Sequence, residues 1–260
     1  MQKHTAICLV AAGLLAGCGA SNVAAIVSKT IGNDVIVVGA TPAESTLNAV
    51  PLTGAIYIPT HDVGPIKGWR TAVSLHQGYI AQSSSGGSEI FVVGTNGATA
   101  NVTGLAIART APTTLPTSGS TTYLGRYAGI FQQDYDDPST LDFIVGVLNG
   151  DVTINANFKD NTVLGTITNR ELRSSVDNSL APLVFPVDLA MAISPLYSDG
   201  SFSGITSGGQ LTNTSPTVSG EYQGLISGAE AQEAIGGLRI VHQTDPGVSR
   251  NIEVGVFLAE

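Results

Sequence analysis

The alternation of apolar and polar positions is clearest near the end of the chain. From Thr217 to Ile226, residues Val218, Gly220, Tyr222, Gly224 and Ile226 fall on one face, and Thr217, Ser219, Glu221, Gln223 and Leu225 fall largely on the other. This is the period of a half-buried strand. A near copy lies earlier, from Tyr123 to Phe131, and both copies carry Gly-x-Tyr-x-Gly with the glycines on the same face as the rings. Glycine weakens a flat strand, so its repeated use at matched positions predicts bends in a strongly curved sheet, covered by aromatic rings. The competing account is composition, since 31 of the 260 residues are glycine. The flanking alternation favours two strands of one closed β-barrel.

The same pattern continues between and after the two copies. Strands are predicted at Phe143–Leu148, Val152–Phe158, Val163–Thr168, Val184–Ile193, Ser201–Thr206, Ile235–His242 and Ile252–Leu258. Asn149-Gly150 fits either a hairpin or a bulge within one long strand. Asn169 to Leu180 is the one long polar break, predicted as a loop or a helical turn, and Gly228 to Glu233 is short enough to be one turn between strands.

The first half is also β-like. Runs at Gly54–Ile58, Trp69–Ala81, Ile90–Val93 and Thr99–Ala108 predict a small β subdomain, with Asn96-Gly97 as a hairpin turn and Gln82–Ser88 as a flexible loop. Val35–Val38 belongs to either a tether or a first strand. Pro112 and Pro116, in a stretch with almost no apolar content, mark a domain boundary. The fold class expected is all-β. Residues 1–17 form a leader, 18–50 an anchor and tether, 51–111 a small β subdomain, 112–120 a linker, and 121–260 an eight-stranded antiparallel barrel.

The leader narrows the setting. Lys3 precedes an apolar run from Ala6 to Ala16, too short to span a bilayer, and the run ends in Leu15-Ala16-Gly17-Cys18. That tetrad resembles a bacterial lipobox, and the resemblance implies cleavage before Cys18 with acyl chains on its sulfur and on the new N-terminus. Gly19 in place of an aspartate favours outer-membrane sorting. The alternative is an ordinary signal peptide with an incidental cysteine. Cys8 and Cys18 are the only cysteines, so after processing neither a disulfide nor a catalytic thiolate is expected.

A net charge of −9 disfavours nucleic-acid partners. Only 12% of residues are charged, about half the usual share of roughly 25%, so Ser, Thr, Asn and Gly must form much of the surface.

The order of motifs in the second half resembles a known family. Tyr-x-Gly-x-Tyr-x-Gly at Tyr123–Gly129 is followed by Gly150-Asp151-Val152-Thr153-Ile154-x-Ala156-x-Phe158. Next come Thr162-Val163-x-Gly165-Thr166-Ile167, then Gly224, Ala231-Gln232-Glu233 and Gly236-Gly237. This order is similar to the β-barrel domain of transferrin-binding protein B and related surface lipoproteins. The resemblance implies an eight-stranded barrel preceded by a β handle, lipid-anchored to an outer membrane, and binding rather than catalysis. Ser227-Gly228 stands where that family often has a proline, and the chain has the length of one lobe of a two-lobed receptor. Fold and location are therefore carried over, and no ligand-contact residue.

Chemistry beyond binding finds little purchase in the residues. His61, His76 and His242 are too far apart in sequence for metal-ligand spacing and read as strand or surface histidines. Asp134, Asp136, Asp137 and Asp142 lack the spacing of a calcium loop and read as a solvated acidic loop. Glu230 and Glu233 suit a solvated turn better than an acid–base pair. No nucleophile elbow, phosphate loop or dinucleotide motif occurs, so no enzyme, metal or cofactor is expected. Arg126 and Glu221 sit at equivalent positions of the two motif copies and would form a cross-strand pair if those strands were neighbours. The architectural rival is a transmembrane barrel, and the functional rivals are an adhesive surface protein and a barrel holding a small apolar ligand. The ending Phe257-Leu258-Ala259-Glu260 lacks the terminal aromatic usual in transmembrane barrels.

Overall fold

A computed structural model describes residues 27–31, 34–38, 46–47, 50–51, 55–71, 76–95, 104–109, 113–135, 143–181, 186–210, 218–243 and 249–260. The leader, Cys8, Cys18, Asn96-Gly97, Asp136, Asp137 and Asp142 lie outside them.

The N-terminal part is a sheet. Its strands are β1 (Val27–Ile31), β2 (Asp34–Val38), β5 (Ala55–Tyr57), β6 (Lys67–Thr71), β7 (His76–Gln82), β8 (Ser88–Thr95) and β9 (Gly104–Arg109), in the spatial order β1-β2-β9-β8-β7-β6-β5. Only the β2–β9 contact is parallel. Two short strands, β3 (Thr46–Leu47) and β4 (Val50–Pro51), pair with each other. The run predicted from Trp69 to Ala81 is thus two strands, and a 3₁₀ turn at Pro59–His61 joins β5 to β6.

The second part is a closed barrel of eight strands in sequence order: β10 (Ser120–Tyr135), β11 (Phe143–Asn157), β12 (Thr162–Ser174), β13 (Leu189–Pro195), β14 (Ser201–Gly208), β15 (Ser219–Ser227), β16 (Glu233–Gln243) and β17 (Ser249–Ala259). Closure is the antiparallel pairing of β10 with β17, from Gly125 opposite Ala259 to Tyr135 opposite Ser249. A closed sheet has no free edge to guard. Asn149-Gly150 is a bulge in one long strand, where the register to β12 shifts between Asn149 and Asp151.

The polar stretch predicted as a break from Asn169 is instead strand as far as Ser174. Asn169 adopts a positive φ of 50°, and beyond it Arg170 and Leu172 are buried. The inward face of this strand carries a charge, which disguised its alternation.

Inside the barrel the motif faces are as the alternation predicted. Tyr123, Tyr127, Phe131, Phe202, Tyr222 and Phe257 are buried together with Ile154, Phe158, Ile167 and Leu238 in one core. Two glycines explain the motif. A Cβ at Gly255 would run into the Tyr127 ring, and one at Gly224 into the Phe202 ring, so each ring lies over bare backbone.

A second core lies outside the barrel wall. Tyr79, Ala81, Ile90, Val92 and Ile107 of the N-terminal sheet pack on Ala128, Ile130, Val147, Leu225, Ile235, Val254, Val256 and Leu258. Strands β10, β16 and β17 therefore bury apolar residues on both faces, while β12 to β14 turn Thr166, Ala190, Ile193, Ile205 and Ser207 to solvent.

Candidate functional site

Strand parity places four polar side chains in the bore. Tyr127 of β10, His242 of β16 and Glu253 of β17 come from neighbouring strands, and Arg170 reaches them from β12, which shares no ladder with β17. Arg170 Nη2 donates to Glu253 Oε2 at 2.5 Å, the Tyr127 hydroxyl donates to Glu253 Oε1 at 2.7 Å, and His242 Nε2 lies 3.1 Å from Glu253 Oε2. The edge of Phe131 meets the His242 ring with centroids 5.4 Å apart. Arg170 and Glu253 have no side-chain exposure at all.

Burial alone would raise the Glu253 carboxyl. The Arg170 guanidinium and the hydrogen bonds from His242 and Tyr127 outweigh it and hold the group down to about 2. Burial, reinforced by the Glu253 charge, pushes the Tyr127 hydroxyl well above its ordinary range. Burial disfavours the Arg170 charge, but Glu253 more than compensates and raises it. Three of the four groups thus stand as a neutral tyrosine, a carboxylate and a guanidinium, with Arg170 and Glu253 sealed from solvent. Their arrangement holds structure.

What they hold is one end of the barrel. Arg170 Nη1 also donates to the carbonyls of Val187 at 2.7 Å and Gly209 at 2.8 Å. Val187 and Gly209 lie just before β13 and just after β14, at the strand ends of the connections 175–188 and 209–218. At the opposite end the connections are the short turns 158–161, 196–200 and 228–232. There the Tyr123 hydroxyl ties down the last turn by donating to Ala231 O at 2.6 Å.

A second constellation joins sheet to barrel. Glu233 opens β16 rather than lying on a solvated turn, and it is fully buried, whereas Glu230 is exposed. Its carboxylate accepts from Ser85 Oγ at 2.7 Å, Ser227 Oγ at 3.1 Å and Ser88 Oγ at 3.2 Å. The serine-rich loop between β7 and β8 is therefore a clasp seated on the barrel, and Ser84 N donates to Glu260 Oε1 at 2.6 Å beside it. The sequence reading missed this because a loop of serines looks the same whether it is free or bound.

Arg126 does not meet Glu221. It pairs across β10 and β11 with Asp151, whose other oxygen accepts from Asn169 Nδ2 at 2.7 Å. Glu221 lies opposite Arg239 on β16, because β10 and β15 are not neighbours in the closed order. His61 is buried at the joint between sheet and barrel, and His242 is in the bore. Among the described residues no group of three or more His, Cys, Asp or Glu could hold a metal ion. Asp134 lies on β10.

No family model matches the chain. No curated protein matches it either. Among solved structures, a point mutant of the vaccine antigen transferrin binding protein B from Haemophilus parasuis Hp5 is similar over 75% of this chain, with 12% identity and a TM-score of 0.44. The isotype 1 transferrin binding protein B of serogroup B Neisseria meningitidis is similar over 85% of this chain, with 13% identity and a TM-score of 0.39. The intact two-lobed Ap-TbpB is similar over 79%, with 14% identity and a TM-score of 0.37. This chain spans 37%, 37% and 38% of those three structures, little more than a third of each.

Proposed function

We propose that the protein is an outer-membrane lipoprotein, tethered through acylated Cys18, that binds a protein or solute without catalysis. Recognition is by the loops at one end of the barrel together with the N-terminal sheet. The observation that carries this reading is the dual role of Arg170, whose guanidinium bonds the buried Glu253 and also the roots of the 175–188 and 209–218 connections. Rigid roots beneath long loops are the usual arrangement for recognition on a β scaffold.

Three further features support it. The Leu15-Ala16-Gly17-Cys18 tetrad accounts for the membrane. The ring-filled bore leaves loops rather than lumen as the binding element. Apart from the cluster around Arg170 and Glu253 the barrel interior is apolar, and apolar residues of its outer wall are covered by the sheet, whereas a spanning barrel has a polar interior and an apolar band facing lipid.

Two experiments test the proposal. Cys18→Ala should move the protein from the membrane fraction to the soluble fraction, and retention in the membrane would refute the lipid anchor. A pull-down with the lipid-free protein should recover one saturable partner. Weak, unsaturable adhesion to matrix would favour an adhesive role instead.

A further inference from the structure

We propose that the outer wall of β12 to β14 lies against the lipid surface to which Cys18 tethers the chain, an inference that rests on the lipid anchor proposed above. The strand register gathers apolar side chains there. Between β12 and β13 the pairing jumps from Val163–Ser194 to Gly165–Met191, so Leu164 faces two residues, Ala192 and Ile193. This bulge turns Ile193 out of the barrel instead of in. On the next ladder Met191 pairs with Thr206, and a bridge further on pairs Leu196 with Phe202, which sets Ile193 beside Ile205. Leu164, Ile193 and Ile205 are 41%, 67% and 66% exposed, and Tyr197, just past the end of β13, is 55% exposed. Single exposed aliphatics are ordinary, but neighbours on three adjacent strands make a patch that marks an interface.

The occupant follows from charge, from what already covers the barrel and from the tether. Residues 162–168, 189–195 and 201–207 contain no Asp, Glu, Lys or Arg, in a chain of net charge −9. The N-terminal sheet packs on Val147, Ile130, Val254, Ile235 and Leu225, and no residue of β12 to β14 belongs to that outer core. Strand β9 lies over β15 to β17 and β7 over β10, so the sheet order carries β2 and β1 toward the β14 flank. Only residues 19–26 separate Cys18 from β1, a span of at most about 30 Å. A body held that close to lipid meets it with its uncharged apolar wall, and the Tyr197 ring and hydroxyl suit the boundary between lipid and water. A second copy fits less well, because two chains of −9 would meet with no cation on these strands to offset the repulsion. Seated on lipid this way, the sheet points away from the membrane and the connections 175–188 and 209–218 lie to one side, both free for a partner.

The test uses the mature lipidated chain in phosphatidylcholine vesicles. Cys8 leaves with the leader and Cys18 is acylated, so an introduced cysteine is the one thiol available for a nitroxide label. Labels are placed through Ile193→Cys or Ile205→Cys, and through Val176→Cys on the connection after β12, where the side chain is 75% exposed. On vesicles the first two should be several-fold more accessible to oxygen, relative to an aqueous nickel chelate, than the third. Raised salt should leave that difference unchanged, because no charge holds the face. Ile193→Asp should return a label at position 205 to water while the protein stays with the vesicles.

Labels at 193 and 205 as aqueous as the one at 176 overturn the proposal. In lipid-free Cys18→Ala in solution all three labels should be aqueous. Protection at 193 and 205 in a sedimenting dimer of that variant would assign the face to a second copy and overturn it as well. Wild type recovered in the soluble fraction would remove the anchor, and this inference with it.

Discussion

Arg170 and Glu253 meet across the bore of the barrel at 2.5 Å, from strands that share no ladder, with both side chains sealed from solvent. Removing one partner strands the other charge in a low-dielectric interior. Arg170→Met or Glu253→Gln is therefore expected to cost about 3–5 kcal/mol, read as a lower urea midpoint. The double replacement R170M/E253L should cost less than the two single losses added together, because no uncompensated charge remains.

Acid stability should follow the same carboxylate. Its folded value, about 2, lies below the ordinary 4.5, so its contribution is fully present above pH 4.5 and is lost as pH falls toward 2. Unfolding free energy measured across that range should fall more steeply in wild type than in Glu253→Gln. Tyr127 has the opposite sign, with a raised value, so its contribution holds below pH 10 and is lost above it. Tyr127→Phe should flatten the alkaline side of the profile.

The rings over glycine make a steric prediction. Gly224→Ala places a methyl group against the Phe202 ring and should cost about 1–3 kcal/mol in a well-packed bore. Phe202→Leu in the same chain should return part of that loss, a coupling readable from a double-mutant cycle of thermal melts.

The clasp predicts a local effect. Glu233→Ala strips the acceptor from Ser85, Ser88 and Ser227, at about 1–3 kcal/mol, and should raise hydrogen exchange in β7 and β8 while leaving β12 to β14 unaltered. Equal destabilisation of both regions would mean that Glu233 supports the barrel itself.

Much of the architecture was legible because a strand reports its two faces locally. Val152 to Phe158 alternates residue by residue, and its even members are the buried ones. The Gly-x-Tyr-x-Gly copies announced rings beside bare backbone, and both lie in the bore. The polar groups were less legible. Glu253 was hidden in an apolar run between Ile252 and Val254, and Arg170 fell in a segment that looked like a loop. A charge at an inward position reads as a break until its partner is known.

From the chain alone came the period, and with it the all-β class, the curvature and the inward residues, since a side chain's face depends only on its own strand. Tertiary pairing decided the rest. The β10–β11 ladder set Arg126 beside Asp151 instead of Glu221, the closed wall brought Arg170 across to Glu253, and docking of the sheet turned a run of serines into a clasp on Glu233. Those pairings join residues far apart in sequence. No local periodicity encodes them, because each becomes favourable only after the wall around it has formed and excluded water.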